Sequence, residues 1–289
     1  MFEINKIPRK PDWLKIKINL RDNFRDVAQN LKAKGLHTIC TDGDCPNKYE
    51  CWARGTATIM ILGNICTRHC KFCNVTPGRP LPPDKEEPTK VALSIKEMGL
   101  KHCVITSVDR DDLPDYGAAH WAETIQKIKE FNPGITIETL IPDMNGVTEL
   151  VDVILSAEPN VISHNLETVR RLTPKLRSKA SYERSLSVLS HIAASGKIAK
   201  SGIMVGVGET FDEVLETMDD LLSVGCRVMT IGQYLQPSLK HYPVVEYIHP
   251  DIFAKYKEIG LQKGFQYIES GPLVRSSYFA EKHINVSLK

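Results

Sequence analysis

The chain has 289 residues, of which 42% are apolar and 25% charged, and its formal net charge is +2. This composition can fill a sizeable hydrophobic core, and the small net charge gives no support for nucleic-acid binding. Residues 1–10 contain no apolar export signal, and no apolar run reaches the length of a membrane span. We therefore expect a cytoplasmic protein that has no membrane segment.

The chain opens with a predicted helix and then changes to an alternation of strands and helices. The helix covers residues 22–34 and ends at Gly35, which suits the position after a helix end. Gly43, Pro46 and Asn47 interrupt the next stretch, so we expect it to be a loop. Short β-branched runs then predict six strands, at residues 57–63, 103–108, 135–141, 161–165, 201–207 and 228–234. Further helices are predicted at residues 118–130, 182–194, 212–224 and 251–263.

Six apolar strands separated by helices predict a parallel sheet that is covered by helices. Because βαβ crossovers are right-handed, such a series curls into a barrel, and six units leave it open along one side. The predicted fold class is α/β, a partial (β/α)6 TIM-type barrel. We expect an N-terminal extension at residues 1–55, the barrel at 56–265 and a C-terminal tail at 266–289. Functional groups in such a fold gather where the strands end.

Six of the eight cysteines lie between positions 40 and 73, in two groups of three. In a reducing compartment such clustering indicates metal binding rather than disulfide bonds. A structural zinc site needs four ligands, which groups of three do not supply evenly. A [4Fe–4S] cube bound by three thiolates keeps one iron open to another ligand. The two groups are Cys40, Cys45 and Cys51, and Cys66, Cys70 and Cys73.

The second cysteine group has the sequence CTRHCKFC and directly follows the first strand of the predicted barrel. Its CxxxCxxC spacing at this place resembles the radical S-adenosylmethionine (SAM) superfamily. The resemblance implies that Cys66, Cys70 and Cys73 bind a [4Fe–4S] cluster whose open iron takes the amino and carboxylate groups of SAM. It also implies that one electron delivered to SAM releases a 5′-deoxyadenosyl radical, while the protein orients the cofactor and excludes water.

The first cysteine group has the spacing CxxxxCxxxxxC. It resembles the motif for a second, auxiliary cluster in one family of this superfamily, the lipoyl synthases. The resemblance extends over almost the whole chain. Similar stretches are residues 55–58 (GTAT), 106–112 (TSVDRDD), 164–167 (HNLE), 232–237 (GQYLQP) and 275–278 (RSSY).

The resemblance to lipoyl synthases implies a reaction and a second cluster. Two sulfur atoms enter an octanoyl group on a lysine of a lipoyl carrier domain, at C6 and C8, and two SAM molecules are cleaved. The sulfur comes from an auxiliary [4Fe–4S] cluster, which is consumed. The resemblance implies four ligands for this cluster: Cys40, Cys45, Cys51 and Ser277. Ser276 is the alternative to Ser277.

The candidate SAM-binding residues lie mostly where strands end. We expect the methionyl part near the second strand, the ribose near the fourth, the adenine near the second cysteine group, and the methionyl carboxylate beside a basic side chain. In that order the candidates are Thr106 and Ser107, Asn165 and Glu167, the backbone at Phe72, and Lys200 or Arg184. A packing role stays open for Phe72, and surface ion pairs stay open for both basic residues. The charged run at 109–112 is either part of the site or a solvated loop with local salt bridges.

Three other protein classes stay open. A different radical SAM enzyme with an auxiliary cluster, one that inserts sulfur or modifies peptides, would place its extra cysteines elsewhere. An iron–sulfur carrier would bind every iron through the protein, and a zinc-binding interaction protein would need four ligands per site.

The expected partners are a reductant and an octanoylated carrier domain. The carrier would be of the 2-oxoacid dehydrogenase E2 type or the glycine-cleavage H-protein type. We expect no nucleic-acid or membrane partner, and we expect a monomer, which can admit a bulky protein substrate.

Overall fold

The computed structural model describes residues 7–16 and 22–285. The remaining terminal residues, 1–6 and 286–289, belong to the predicted extension and tail and lie outside the described part. The strands are β1 (His37–Thr38), β2 (Thr58–Ile61), β3 (Ile65–Cys66), β4 (Thr76–Pro77), β5 (His102–Ser107), β6 (Thr136–Leu140), β7 (Val161–Ser163), β8 (Ile198–Val205), β9 (Val228–Gln233) and β10 (Tyr267–Gly271). The α helices are α1 (Asp22–Ala33), α2 (Ile39–Asp42), α3 (Lys48–Ala53), α4 (Glu87–Glu97), α5 (Ala118–Phe131), α6 (Thr148–Ser156), α7 (Thr173–Leu176), α8 (Tyr182–Ala194), α9 (Phe211–Ser223) and α10 (Pro250–Lys263). Short 3-10 helices cover Asp12–Leu14, Met144–Gly146 and Ala280–Asn285.

One sheet carries the fold, in the strand order β1-β2-β5-β6-β7-β8-β9-β10. Every neighbouring pair is parallel except β1 with β2. All six predicted strands are present as consecutive neighbours, from β2 to β9, which confirms the predicted partial barrel. The edge strands β1 and β10 were not predicted. Within the described residues no pairing joins β10 to β1 or β2, so the sheet stays open there.

The strands are apolar because both faces of the sheet are covered. All four residues of β2 and all six of β9 are buried. The five predicted helices all form, and each begins and ends within one residue of its predicted position. In α5, for example, Trp121, Ile125 and Ile128 are fully buried, and their spacing places them on one face of the helix. Among the described residues no helix combines the length and apolar composition needed to cross a bilayer.

The first cysteine group does not lie on a loop, contrary to the prediction. Cys40 belongs to α2, Cys51 belongs to α3, and Cys45 lies in the turn between these helices. The hydroxyl of Thr38 accepts a hydrogen bond of 3.2 Å from the Thr41 backbone and so caps α2. Gly43 and Pro46 break only the connection, because burial of Cys40 and Trp52 stabilises the two short helices on either side.

The C-terminal segment starts within the sheet and then packs on the two cysteine-bearing helices. After β10, the Asn47 amide donates a hydrogen bond of 2.6 Å to the Leu273 carbonyl. The Tyr278 hydroxyl donates to Glu50 at 3.1 Å, and Arg54 pairs with Glu281 at 2.8 Å. The segment is therefore held between the sheet and the N-terminal part of the chain.

Candidate functional site

A cavity of about 1180 Å³ opens inside the partial barrel, and all six clustered cysteines line it. The second cysteine group reaches it from the last residue of β3 and the connection to β4, near the ends of the parallel strands. The first group reaches it from α2 and α3, beside Thr58 at the start of β2. The other two thiols, Cys103 and Cys226, are buried outside the cavity lining.

Hydrogen bonds already orient the second cysteine group. The backbone N–H groups of Arg68 and Asp109 donate to the Cys66 sulfur at 3.4 and 3.3 Å. The Cys66 thiol donates to the Asp109 carboxylate at 3.7 Å. The Cys70 sulfur lies 3.8 Å from the Ser178 hydroxyl. The loop after β5 therefore positions the first cysteine of this motif.

Arg68, inside the CxxxCxxC motif, anchors this loop to the barrel. Its side chain is only 4% exposed and pairs with three carboxylates. It binds Asp111 through two hydrogen bonds of 2.9 and 2.8 Å, Asp143 at 2.7 Å and Asp109 at 3.2 Å. The run at 109–112 is therefore not a solvated loop, since two of its carboxylates hold the cysteine loop in place.

Thr58 links the first cysteine group to Ser277 of the C-terminal segment. The hydroxyl of Thr58 donates to the Ser277 hydroxyl at 2.8 Å. Burial raises the pKa of Cys40 to about 11, while a hydrogen bond from the Thr58 backbone opposes that shift. Thr58 therefore contacts both Cys40 and Ser277. Ser276 faces the other way, and its hydroxyl accepts a hydrogen bond of 2.7 Å from the Asn165 amide.

All six cavity thiols are held neutral by burial. Burial, with smaller contributions from neighbouring acidic groups and thiols, raises the pKa of Cys51, Cys66 and Cys73 to about 12. Burial also raises the pKa of Cys45 and Cys70. Neutral thiols are poor nucleophiles and poor ligands, so iron binding must displace their protons.

Each cysteine group offers three thiols, one fewer than the four ligands of a structural zinc site. Within residues 7–16 and 22–285, no three His, Cys, Asp or Glu side chains are close enough together to bind a single metal ion. In a cube each thiolate binds a different iron, so its ligands stand further apart than those around one ion. Three thiols without a fourth cysteine match a cube in which one iron has no cysteine ligand.

Five of the predicted SAM contacts line the same cavity: Phe72, Thr106, Ser107, Asn165 and Glu167. Two buried polar atoms among them, the Ser107 hydroxyl and the Asn165 side-chain oxygen, have no hydrogen-bond partner among the described residues. Glu167 has a positive φ of 68°, and burial raises the pKa of its carboxyl group. Unsatisfied buried polar atoms are costly, so this wall of the cavity fits a polar ligand.

The two predicted partners of the SAM carboxylate do not line the cavity. Arg184 pairs with Asp143 at 3.3 Å, and the fully buried Lys200 pairs with Glu138. The cavity is lined instead by Arg177, which donates to the Ser185 hydroxyl at 2.8 Å. Arg177 follows α7 in a run rich in basic residues, and no sequence motif distinguishes it from its neighbours.

Comparison with known proteins identifies the family. Residues 60–221 match the Radical SAM superfamily. The chain is 60% identical over 285 residues to a lipoyl synthase from Bacteroides fragilis, with 99% of each chain covered. It is 61% identical to one from Porphyromonas gingivalis, covering 96% of this chain and 98% of that protein. It is 58% identical to one from Treponema denticola, covering 96% of this chain and 95% of that protein. The chain belongs to the lipoyl synthases.

Solved structures of other proteins share the fold at low identity. Methylornithine synthase (PylB) has a TM-score of 0.56 and 16% identity, covering 71% of this chain and 62% of that one. SuiB from Streptococcus suis bound to S-adenosylmethionine has a TM-score of 0.56 and 13% identity, covering 78% and 54%. These similarities confirm the predicted barrel.

Family membership confirms the predicted enzyme class and superfamily. The protein is a radical SAM enzyme that inserts sulfur, and its superfamily uses a [4Fe–4S] cluster and SAM. The other radical SAM classes considered from the sequence are not favoured, because the high identity to lipoyl synthases spans nearly the full chain.

Proposed function

We propose that the enzyme inserts two sulfur atoms at C6 and C8 of an octanoyl group attached to a lysine of a lipoyl carrier domain. It would use two [4Fe–4S] clusters and two molecules of SAM. One observation carries the proposal: both cysteine groups and Ser277 line a single cavity. Chemistry that starts at one group can therefore reach a substrate held beside the other.

The ligand sets of the two clusters follow from the two cysteine groups. Cys66, Cys70 and Cys73 would hold the cluster that binds SAM. The auxiliary cluster would be held by Cys40, Cys45, Cys51 and Ser277. When bound, the first cluster supplies the electron that cleaves SAM, and the auxiliary cluster supplies the sulfur.

The remaining cavity residues would bind SAM and the octanoyl chain. Asn165 and Glu167 suit the ribose hydroxyls, and Thr106 and Ser107 suit the methionyl part. We assign the methionyl carboxylate to Arg177, because this guanidinium lines the cavity and a guanidinium matches a carboxylate. Apolar side chains of the lining offer an eight-carbon chain a dry wall; three of them are Val104, Leu140 and Met204.

The proposal also covers the partners of the enzyme, its location in the cell and the division of the chain into segments. The substrate would be an octanoylated carrier domain of the 2-oxoacid dehydrogenase E2 type or the glycine-cleavage H-protein type. A reductant would supply electrons, and neither nucleic acid nor a membrane would take part. We propose a cytoplasmic monomer with a cluster-binding extension at 1–55, a barrel at 56–265 and a tail at 266–289.

The test is sulfur insertion by the reconstituted enzyme. Anaerobic reconstitution should give a brown protein with about eight irons, as two cubes require. With reductant, SAM and an octanoyl-lysyl carrier domain, mass spectrometry should show two added sulfur atoms together with 5′-deoxyadenosine.

Two matched triple variants separate the cysteine groups. Replacing Cys40, Cys45 and Cys51 by Ala should preserve SAM cleavage but abolish sulfur insertion. Replacing Cys66, Cys70 and Cys73 by Ala should abolish both, with about four irons left in either variant. SAM cleavage by wild-type enzyme without added sulfur would contradict the proposal.

A further inference from the structure

Residues 274–278, here called the serine loop, pass over the inner wall of the barrel beside four strands. Its contacts come from residues of, or directly after, β2, β7, β8 and β9. Thr58 binds the Ser277 hydroxyl, and Asn165 binds the Ser276 hydroxyl. Lys200 binds the Ser276 carbonyl, and Gly232 lies against Val274. Distant parts of the barrel therefore converge on a loop of five residues.

The contact from Lys200 is unusual, because it is a charge placed in the barrel interior. Lys200 on β8 and Glu138 on β6 have fully buried side chains that form an ion pair. The Ser163 hydroxyl also donates to this Glu138 carboxylate, at 3.2 Å. A buried ion pair seldom improves stability over a packed hydrophobic pair, so its presence calls for another reason.

The reason lies in the second hydrogen bond of Lys200. Its ammonium donates to the Ser276 carbonyl at 2.5 Å. That carbonyl is part of the planar peptide that joins Ser276 to Ser277. Fixing its orientation therefore fixes the direction in which the Ser277 backbone starts. The Asn165 amide holds the same residue at its hydroxyl, so Ser276 is anchored at two atoms.

Gly232 presses on the serine loop from the neighbouring strand. A Cβ atom at this position would lie 2.1 Å from the Val274 carbonyl oxygen and 3.3 Å from the Arg275 guanidinium. Any larger residue would thus push the loop away from β9. The close approach of β9 and the hydrogen bond from β8 act on the same short segment from adjacent strands.

We infer that Lys200 is a positioning residue for Ser277, the serine proposed to bind the auxiliary cluster, and that it does not bind the SAM carboxylate. The Lys200–Glu138 pair holds the Ser276–Ser277 peptide so that the Ser277 hydroxyl faces the first cysteine group. This inference rests on the proposed function, because it takes Ser277 to be a ligand. Gly232 supports the same placement by allowing the loop to approach.

The test isolates the auxiliary cluster in the variant whose Cys66, Cys70 and Cys73 are replaced by Ala. After reconstitution with ⁵⁷Fe, Mössbauer spectroscopy should resolve one iron with an oxygen ligand. Ser277→Ala should remove that signal, and Lys200→Met should do the same. Both changes should speed iron release to a chelator about tenfold, because each leaves one iron without its serine ligand. The double variant should release iron no faster than Ser277→Ala alone.

Lys129→Met is the matched control. Lys129 also donates to two main-chain carbonyls, those of Ala157 and Glu158 at 2.9 and 2.7 Å, but it does not line the cavity. The Lys129→Met variant should keep the Mössbauer spectrum and the rate of iron release of the parent. In the full chain, Lys200→Met should bind SAM within about twofold of the parent, a change of less than 1 kcal/mol.

Two results would overturn the inference. The first is that Lys200→Met keeps the signal of the oxygen-ligated iron while Ser277→Ala loses it. The second is that Lys200→Met loses most of its SAM binding while the signal of the auxiliary cluster is intact. An unchanged signal in Ser277→Ala would instead overturn the proposed ligand set, and this inference with it.

If Lys200→Met does not fold, Gly232→Ala tests the same placement without disturbing the ion pair. It should also lose the signal, and retention would contradict the positioning of the loop.

Discussion

The role proposed for Arg177 follows from its position in the cavity wall and not from its sequence context. It donates through one terminal nitrogen to the Ser185 hydroxyl, and it lines the cavity that Arg184 does not reach. We expect Arg177→Lys to weaken SAM binding at least about tenfold, because an ammonium cannot reproduce bidentate contact with a carboxylate. Anaerobic equilibrium dialysis with labelled SAM measures this, and iron content should not change.

Arg184→Lys serves as the control for that variant. Its guanidinium pairs with Asp143 at 3.3 Å, so SAM affinity should remain near that of the parent. A larger loss of SAM affinity in Arg184→Lys than in Arg177→Lys would return the carboxylate to Arg184, one of the two residues predicted from the sequence.

His164 gives a pH dependence at the residue scale. Burial is the main cause that lowers its pKa from 6.5 to about 4, so the folded protein keeps this imidazole neutral. Between pH 6.5 and 4 the unfolded chain binds a proton that the folded chain excludes, and stability therefore falls as the pH falls through this window. The loss attributable to His164 is of the order of 3 kcal/mol.

His164→Gln should flatten this part of the stability curve. Urea unfolding of the reduced apo protein at pH 7 and pH 4 measures the free energy of unfolding at each pH, and the difference should be smaller in the variant. Ser187→Ala, an exposed change that alters no titratable group, is the control and should keep the parent difference. Equal pH dependence in His164→Gln and the parent would contradict this assignment.

At the scale of elements, helix termini were predictable where capping is local. Helix α9 begins with a capping box, in which the Thr210 hydroxyl accepts from the Glu213 backbone at 3.2 Å and the Glu213 carboxylate accepts from the Thr210 backbone at 2.7 Å. Thr210→Ala should lower the free energy of unfolding by about 1 kcal/mol, because the Glu213 backbone N–H loses its acceptor.

Urea unfolding checks the cap, with Ser187→Ala as the control. Ser187 is exposed in the middle of α8, where alanine is at least as favourable as serine. Equal stability of Thr210→Ala and the parent would mean that the capping box contributes nothing.

At the scale of the whole molecule, the two clusters would connect segments that are far apart in the chain. The auxiliary ligand set would join α2 and α3 to the serine loop, and the other set would close the connection between β3 and β4. Ligands that bind only the folded state raise its stability. We expect reconstitution to raise the Tm by about 10 °C, the shift that about 4 kcal/mol produces in a domain of this size.

Anaerobic calorimetry before and after treatment with a chelator measures this difference. Each cysteine triple variant should show only part of this rise in Tm. A variant in which all six cavity cysteines are replaced by Ala should show none. A full rise in that last variant would mean that iron stabilises the protein elsewhere.

The sequence by itself determined what depends on neighbouring residues. Apolar runs predicted six strands of the sheet, helical periodicity predicted five helices, and cysteine spacing predicted two ligand groups and the family. These features are local, because they depend on backbone preference and on residues a few positions apart.

Only the tertiary structure decided which distant side chains meet. It showed that Lys200 faces Glu138 and the Ser276 carbonyl inside the barrel, while Arg177 lines the cavity. It also showed that the cysteines of the first group lie on and between short helices and that the tail starts as β10. These outcomes depend on contacts with distant segments, 226 positions apart for Asn47 and Leu273, and no local pattern encodes such contacts.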